Sequence, residues 1–313
     1  MWFSSPTRLK SKISKISFVV WVILSMHMPR VIADSSVVAA ADLFSVKVDD
    51  SYSIEQFRQQ ASCAKYEYAA LFAAITVIGV ANWDWGSSEF TFNSEGWFRE
   101  TNRGSGGMDK IGHAFASYAI CDAFHHAIQS RAMDTQNAEL TAGLLGMSLA
   151  TYIELFDGFS EDHGFSYEDL IMNGLGAGFS VLRNSVPGMA EIVDFRMQYL
   201  PSPYDSFNPL GDYPGQKYLL AFKLSGFEMF RESPLRFVEL HGGYGARGFT
   251  LDERRDGVKQ ERNFYLGVGL NLQELLFPNP SPTEPSLVRG TRATLRYLQI
   301  PYTYVSSDGN SGR

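Results

Sequence analysis

Cysteine is scarce in this 313-residue chain, and so is charge. Two cysteines, Cys63 and Cys121, cannot build a disulfide-rich scaffold or a four-cysteine zinc centre. Charged residues make up 19% against 45% hydrophobic ones, which excludes a disordered chain. With a formal net charge of −7, electrostatic grip on nucleic acid is a poor fit and no nucleic-acid partner is expected. Familiar reaction signatures are missing too. There is no Gly-x-Ser-x-Gly elbow, and Gly174-Leu175-Gly176-Ala177-Gly178 lies inside an apolar helical pattern instead of after a strand, so it fails as a nucleotide loop. The run Asp157 to Asp162 lacks the alternating oxygen ligands of an EF-hand, and no helix pairs two histidines at zinc spacing with a third ligand.

Acidic residues are absent from residues 1–33, where Arg8, Lys10, Lys12, Lys15 and Arg30 surround the apolar stretch Ile16 to Met26. A basic region followed by a short apolar core reads as an export signal, with cleavage expected near Ala33. Its removal leaves the remainder at −12, so contact with a membrane has to come from apolar and aromatic surface, not from charge. An uncleaved anchor is the alternative; both place the body of the protein outside the cytoplasm, in the periplasm or cell envelope. Export also makes a Cys63–Cys121 disulfide permissible, with two separate buried thiols as the other reading.

Long apolar runs are missing from the rest of the chain. The uncharged stretches Tyr68–Trp83, Ile111–Cys121, Leu140–Ile153 and Leu170–Leu182 are 16, 11, 14 and 13 residues long, short of the roughly 18 expected of a membrane span. They predict four short buried helices, with Ala142/Gly146 and Gly174/Gly178 spaced to let helix backbones approach. From Pro187 to Gly215 prolines and glycines predict a linker. Beyond it Lys217–Phe227, Leu235–Gly242, Asn263–Leu272 and Ala293–Val305 read as strands. In the third, Phe264, Leu266, Val268, Leu270 and Leu272 alternate with Asn263, Tyr265, Gly267, Gly269 and Asn271. The expected fold is therefore α+β: a helical domain over residues 34–186, a linker over 187–215, a small antiparallel sheet over 216–305, and a frayed tail over 306–313.

The helices carry the polar residues that point to chemistry. Asp109 and His113 are i,i+4 neighbours at the start of one helix, Glu154 and Asp157 share a face at the end of the next, and Asp169 and Asn173 open a third. Ser166 precedes Asp169 in a capping-box pattern, with aspartate in place of glutamate. Several buried carboxylates need cations: Lys110, Arg183, a protonated His113 or a metal. One reading is a structural network that fixes helix register. The other is a hydrolase-like or metal-dependent site, with His113 as base or ligand and Asp109, Glu154, Asp157 and Asp169 as acids or ligands. No cofactor is assigned and the metal is left open. Asp122, His125 and His126, at the far end of the His113 helix, are expected at the surface. The loop Asn82 to Asn102 holds Trp83, Trp85, Trp97 and Phe98, which offer either contact with a membrane surface or sugar, or rings folded back over the bundle.

The pattern Asp109-Lys110-x-x-His113, Glu154-x-x-Asp157 and Gly164-Phe165-Ser166-x-x-Asp169-Leu170-x-x-Asn173-x-x-Gly176 resembles the YfiM-like family of periplasmic lipoproteins, a domain of unknown function. It is more distantly similar to the VanZ-like membrane proteins. The resemblance covers roughly Trp97 to Arg183 and implies an envelope address and weight for the motif residues, without a reaction. The family's lipid-attachment cysteine has no counterpart after the apolar core.

Overall fold

The computed structural model describes residues 52–93, 96–98, 104–205, 207–278 and 285–308; the expected export segment lies outside the described residues, as does the tail from residue 309 on. Helices come first. α1 (Ile54–Cys63) is capped by Ser53, whose hydroxyl accepts the Gln56 amide, and α2 (Lys65–Asn82) follows at a 71° bend. α3 (Met108–Arg131), α4 (Ala138–Asp157) and α5 (Tyr167–Ser185) form the body of the bundle. All four expected helices are present, each longer than its uncharged run because charged residues occupy its ends. Among the described residues no single helix is long and apolar enough to cross a membrane, although α1 and α2 together pass by length and composition.

Close helix packing is set by small residues, with one change from expectation. A Cβ at Gly146 would meet Cys121 Sγ, as the spacing with Ala142 predicts, but Gly174 and Gly178 face open space. Gly176 does the work instead, since a Cβ there would collide with the Ala114 carbonyl of α3. The bundle core gathers Ile75, Trp85, Phe124, Ile128, Leu149, Tyr152 and Phe156. Both thiols are unbridged: Cys121 is buried and Cys63 half-buried.

Five strands make an antiparallel meander in chain order: β1 (Val193–Tyr199), β2 (Gln216–Lys223), β3 (Val238–Arg247), β4 (Glu261–Leu270) and β5 (Tyr304–Ser306). β1 lies within the stretch read as a linker. Prolines at 187, 201 and 203 bracket it without entering it, so the composition of its flanks hides it. The expected strand Ala293–Val305 is corrected: Ser286–Tyr297 is a helix, α6, and only Tyr304–Ser306 is strand. Val288 and Leu295, seven apart, fall on one helical face, and Pro301 prevents the helix from continuing. β2 stops at Lys223, where Leu224–Gly226 turns. Of the expected tail, Ser306 closes β5.

The alternation in β4 is as expected, and its apolar face is the exposed one. Phe264, Leu266, Val268 and Leu270 are exposed, together with Val305 of β5 and Leu240 of β3. The register aligns Asp194, Arg196 and Gln198 of β1 with Ala221, Leu219 and Lys217 of β2, and sets Glu239 and His241 of β3 beside Lys223 and Ala221. This polar face is the buried one. It is closed off because the sheet curls until the last segment touches both edges: Leu298 bridges Met197 of β1 while Tyr304–Ser306 pair with β4. Part of the apolar face is covered, by Ile111 and Phe115 of α3 against Phe195 of β1 and Tyr218 of β2, and by Phe98 against Tyr244 of β3.

Candidate functional site

Three helix ends build the site. α3 begins after Gly106 and Gly107, both at positive φ, and the capping oxygen for the Asp109 amide comes from Ser105 Oγ at 2.8 Å. The Asp109 carboxylate is thus released from capping and turns to other partners. α5 begins at Ser166, whose hydroxyl accepts the Asp169 amide at 3.2 Å, so the Asp169 side chain is likewise free to enter the bundle. α4 contributes Glu154 and Asp157 from its last turn, and the Gly176–Ala114 approach draws α5 onto α3.

These groups converge. Lys110 Nζ, buried, donates to Asp169 Oδ1 at 2.7 Å and to Asp109 Oδ2 at 3.0 Å. The His113 imidazole stands within ion-pair range of three carboxylates: Glu154 Oε1 lies 3.3 Å from Nδ1, and Asp109 Oδ1 and Asp169 Oδ1 lie 3.6 and 3.7 Å from Nε2. Both Nε2 distances exceed a normal hydrogen bond. Behind it runs a buried relay in which Ser117 Oγ donates to Asn173 Oδ1 at 2.8 Å and Asn173 Nδ2 donates to Glu154 Oε1 at 3.1 Å. Tyr213, from the turn before β2, donates its hydroxyl to Asp109 Oδ1 at 2.8 Å. The His113 and Asp109 side chains are 25% and 18% exposed while Glu154 is 2% exposed, so the site is open along one edge only.

Burial and charge push the members apart in acidity. Burial alone disfavours an imidazolium, but Asp109, Asp169 and Glu154 outweigh it and raise His113 from 6.5 to about 9. Glu154 is pushed by burial from 4.5 to about 8, against the opposing pull of His113. Asp109 goes the other way: burial would raise it, yet His113, Lys110 and the Tyr213 hydroxyl hold it well below the usual carboxylate range. At neutral pH the His113 imidazole is therefore held as a cation, Asp109 as a carboxylate, and Glu154 keeps its proton.

Asp109, His113 and Asp169 could offer three metal-ligand atoms within 4.8 Å of one another. Lys110 already supplies a cation between the two aspartates, so a metal would compete with its ammonium group.

Asp157 stands apart from this trio. It accepts the Trp85 indole N–H at 2.6 Å and, through its backbone carbonyl, the amides of Ser160 and Gly164. Burial raises its pKa. It ties the aromatic loop to α4, and this corrects the contact role considered for the aromatic residues. Trp85 is fully buried in the bundle core, Trp83 packs against that core, and Phe98 lies on Gly107 and Tyr244. Trp97 is 41% exposed and stays available. Asp122 is also corrected: it is buried, paired with Arg183 at 3.4 Å and Arg296 at 3.5 Å, and accepts the Tyr297 hydroxyl at 2.6 Å. His126 is exposed, as expected. Ser117 was detectable as the i+4 neighbour of His113, whereas Tyr213, 104 residues from Asp109, carried no local signal.

Comparison with known proteins bears on this same segment. Residues 94–185 match the model of a family described as predicted periplasmic lipoprotein, DUF2279. The match takes in every helical member of the cluster and leaves the sheet outside. It agrees with an exported protein of the periplasm or cell envelope and with a domain of unknown function. No curated protein and no solved structure matches the chain.

Proposed function

We propose that this exported envelope protein is an acid–base enzyme of hydrolase-like type, acting on lipid or cell-wall precursors at the membrane surface. The observation that carries this reading is the imidazole of His113, on the open edge of the cluster, with carboxylates from three helices within 3.3–3.7 Å and no hydrogen bond completed at Nε2. A buried structural network closes its hydrogen bonds; a site that must hand a proton to a substrate keeps one open. In this role His113 is the acid at the edge, Glu154 holds the second proton behind it, Asp109 and Asp169 retain the imidazolium, and Lys110 balances their charge. Tyr213, Asn173 and Ser117 are positioning residues.

A membrane-surface substrate is supported by apolar exposure on both halves of the molecule. β4 presents Phe264, Leu266 and Val268, and the outer side of α2 presents Ala69, Ala73 and Val77. The YfiM-like and VanZ-like resemblance of the motif, and cleavage of the N-terminal segment near Ala33, belong to the same proposal.

The test is turnover by the exported chain on vesicles carrying lipid-linked phosphate and acyl esters. His113→Gln is expected to lower any turnover by about 100-fold while the variant still unfolds cooperatively. Unchanged turnover in that variant would contradict the proposal. Absence of wild-type turnover together with loss of cooperative folding in His113→Ala would assign the cluster to locking helix register, the reading that the burial of Lys110 favours.

A further inference from the structure

The curl of the sheet sorts its side chains by polarity. Asp194, Arg196, Glu239 and His241 lie on the inside and are buried. On the other side stand Phe264, Leu266, Val268 and Leu270 of β4, paired with Tyr244, Gly242, Leu240 and Val238 of β3, with Val305 of β5 opposite Val268. None of these is charged. A sheet that packs one face on a core and gives the other to water has its apolar side inward. Polar side chains inside and apolar ones outside is the arrangement of a sheet surrounded by lipid.

Contacts from α3 and Phe98 reach Phe195, Tyr218 and Tyr244 on this apolar side. Beyond them Phe264, Leu266 and Val305 are 79%, 73% and 77% exposed. The six steps from Phe264 to Leu270, at about 3.3 Å each, make a band about 20 Å long, close to the apolar belt of about 25 Å on lipid-facing barrels. Across three strands about 4.8 Å apart the bare area is on the order of 300 Å². A contiguous apolar patch of that size marks a contact surface.

Size and shape decide what covers it. Each partner in a stable dimer contributes roughly 800 Å², well above this patch. The patch also lies on the convex side of the curl, and two convex faces touch along a line, so a second copy would bury little of it. Acyl chains are fluid and follow a convex wall. Charge agrees with this choice, because an uncharged face demands no ionic partner.

We propose that the outer face of β3, β4 and β5 docks in the hydrocarbon of a lipid bilayer, with Phe264, Leu266, Val268 and Val305 among the acyl chains. The proposal rests on the membrane-surface part of the function above and not on the chemistry of His113. It makes the sheet, which lies outside the segment matching the periplasmic family, the half that meets the membrane.

The experiment is flotation of the exported chain with phosphatidylcholine vesicles at about 0.1 and about 1 M salt. Binding is expected at both, since contact with hydrocarbon is not screened. Leu266→Asp and Val305→Asp change exposed positions and are expected to keep the wild-type urea midpoint, while each lowers the partition coefficient about tenfold or more. Val77→Asp, on the outer side of α2, lowers it less. Absence of wild-type binding, binding lost at about 1 M salt, binding unchanged in both sheet variants, or loss confined to Val77→Asp would overturn the proposal. So would a stable dimer in sedimentation that Leu266→Asp dissociates, which would make a second copy the occupant. Turnover is read separately on a water-soluble ester. Turnover by a chain that binds no vesicles defeats this proposal alone, and vesicle binding without turnover defeats the acid–base reading alone.

Discussion

The bundle and the sheet each bury carboxylates among cations, but they satisfy them to different degrees. Inside the curled sheet, Asp194 is fully buried and meets Arg183 at 2.8 Å, Lys223 at 2.9 Å and Arg196 at 3.0 Å. Arg196 in turn holds Glu239 at 2.7 Å, and His241 Nε2 lies 2.8 Å from the same carboxylate. Every one of these pairs is within hydrogen-bond length. In the bundle Lys110, the Tyr213 hydroxyl and the Asn173–Ser117 relay are as well placed, but His113 is surrounded at longer distances beside solvent. Buried ions held in short pairs hold the fold together, even with Arg196 Nε and His241 Nδ1 left without a partner; an ion surrounded at longer range beside solvent is free to bind or transfer a proton.

Asp194→Ala should therefore have the largest effect on stability. It strips three buried cations of a shared counter-ion and is expected to cost about 3–5 kcal/mol, enough to abolish cooperative folding in urea unfolding followed by circular dichroism. A loss under about 1 kcal/mol, as for an exposed pair, would remove the distinction between the two regions.

Smaller in effect, but more specific, is the pH dependence of stability that the bundle imposes. Glu154 binds its proton more tightly in the fold than its ordinary 4.5, with a value of about 8, so stability falls as pH rises through that window. His113 acts in the same direction between 6.5 and about 9, because the stability of its charged form is lost as it deprotonates. Asp109 is depressed and acts oppositely, its stabilisation disappearing as pH drops below 3.8. The cluster's contribution should peak near pH 4.5 and decline toward pH 9. Glu154→Gln, which can still accept from Asn173, should flatten the decline between 4.5 and 6.5, as checked by urea midpoints across that range.

Much of the bundle was legible in the sequence because its cues are local. Uncharged runs mark α2 to α5, and i,i+4 spacing puts Asp109 beside His113 and Asp169 beside Asn173. The links that organise the site are not local. Trp85 reaches Asp157 across 72 residues and Tyr213 reaches Asp109 across 104, distances over which periodicity says nothing. Aromatic density in the loop from Asn82 identified residues that matter but not their direction, and Trp85 points inward. The sheet was read less completely because its flanks mislead: prolines mask β1, and α6 sits where aromatic and aliphatic residues mimic a strand. Alternation in β4 fixed the two faces, but which face would be buried depended on curling, set by Leu298 and Tyr304 touching opposite edges.

The central claim is that the His113 site is a poised acid–base centre, not another closed ion lattice. Its most direct test is an NMR titration of the exported chain with ¹³C-labelled histidine and glutamate side chains. His113 is expected to titrate near 9 and Glu154 near 8. Titration of His113 at or below its ordinary 6.5, with Glu154 near its ordinary 4.5, would contradict it.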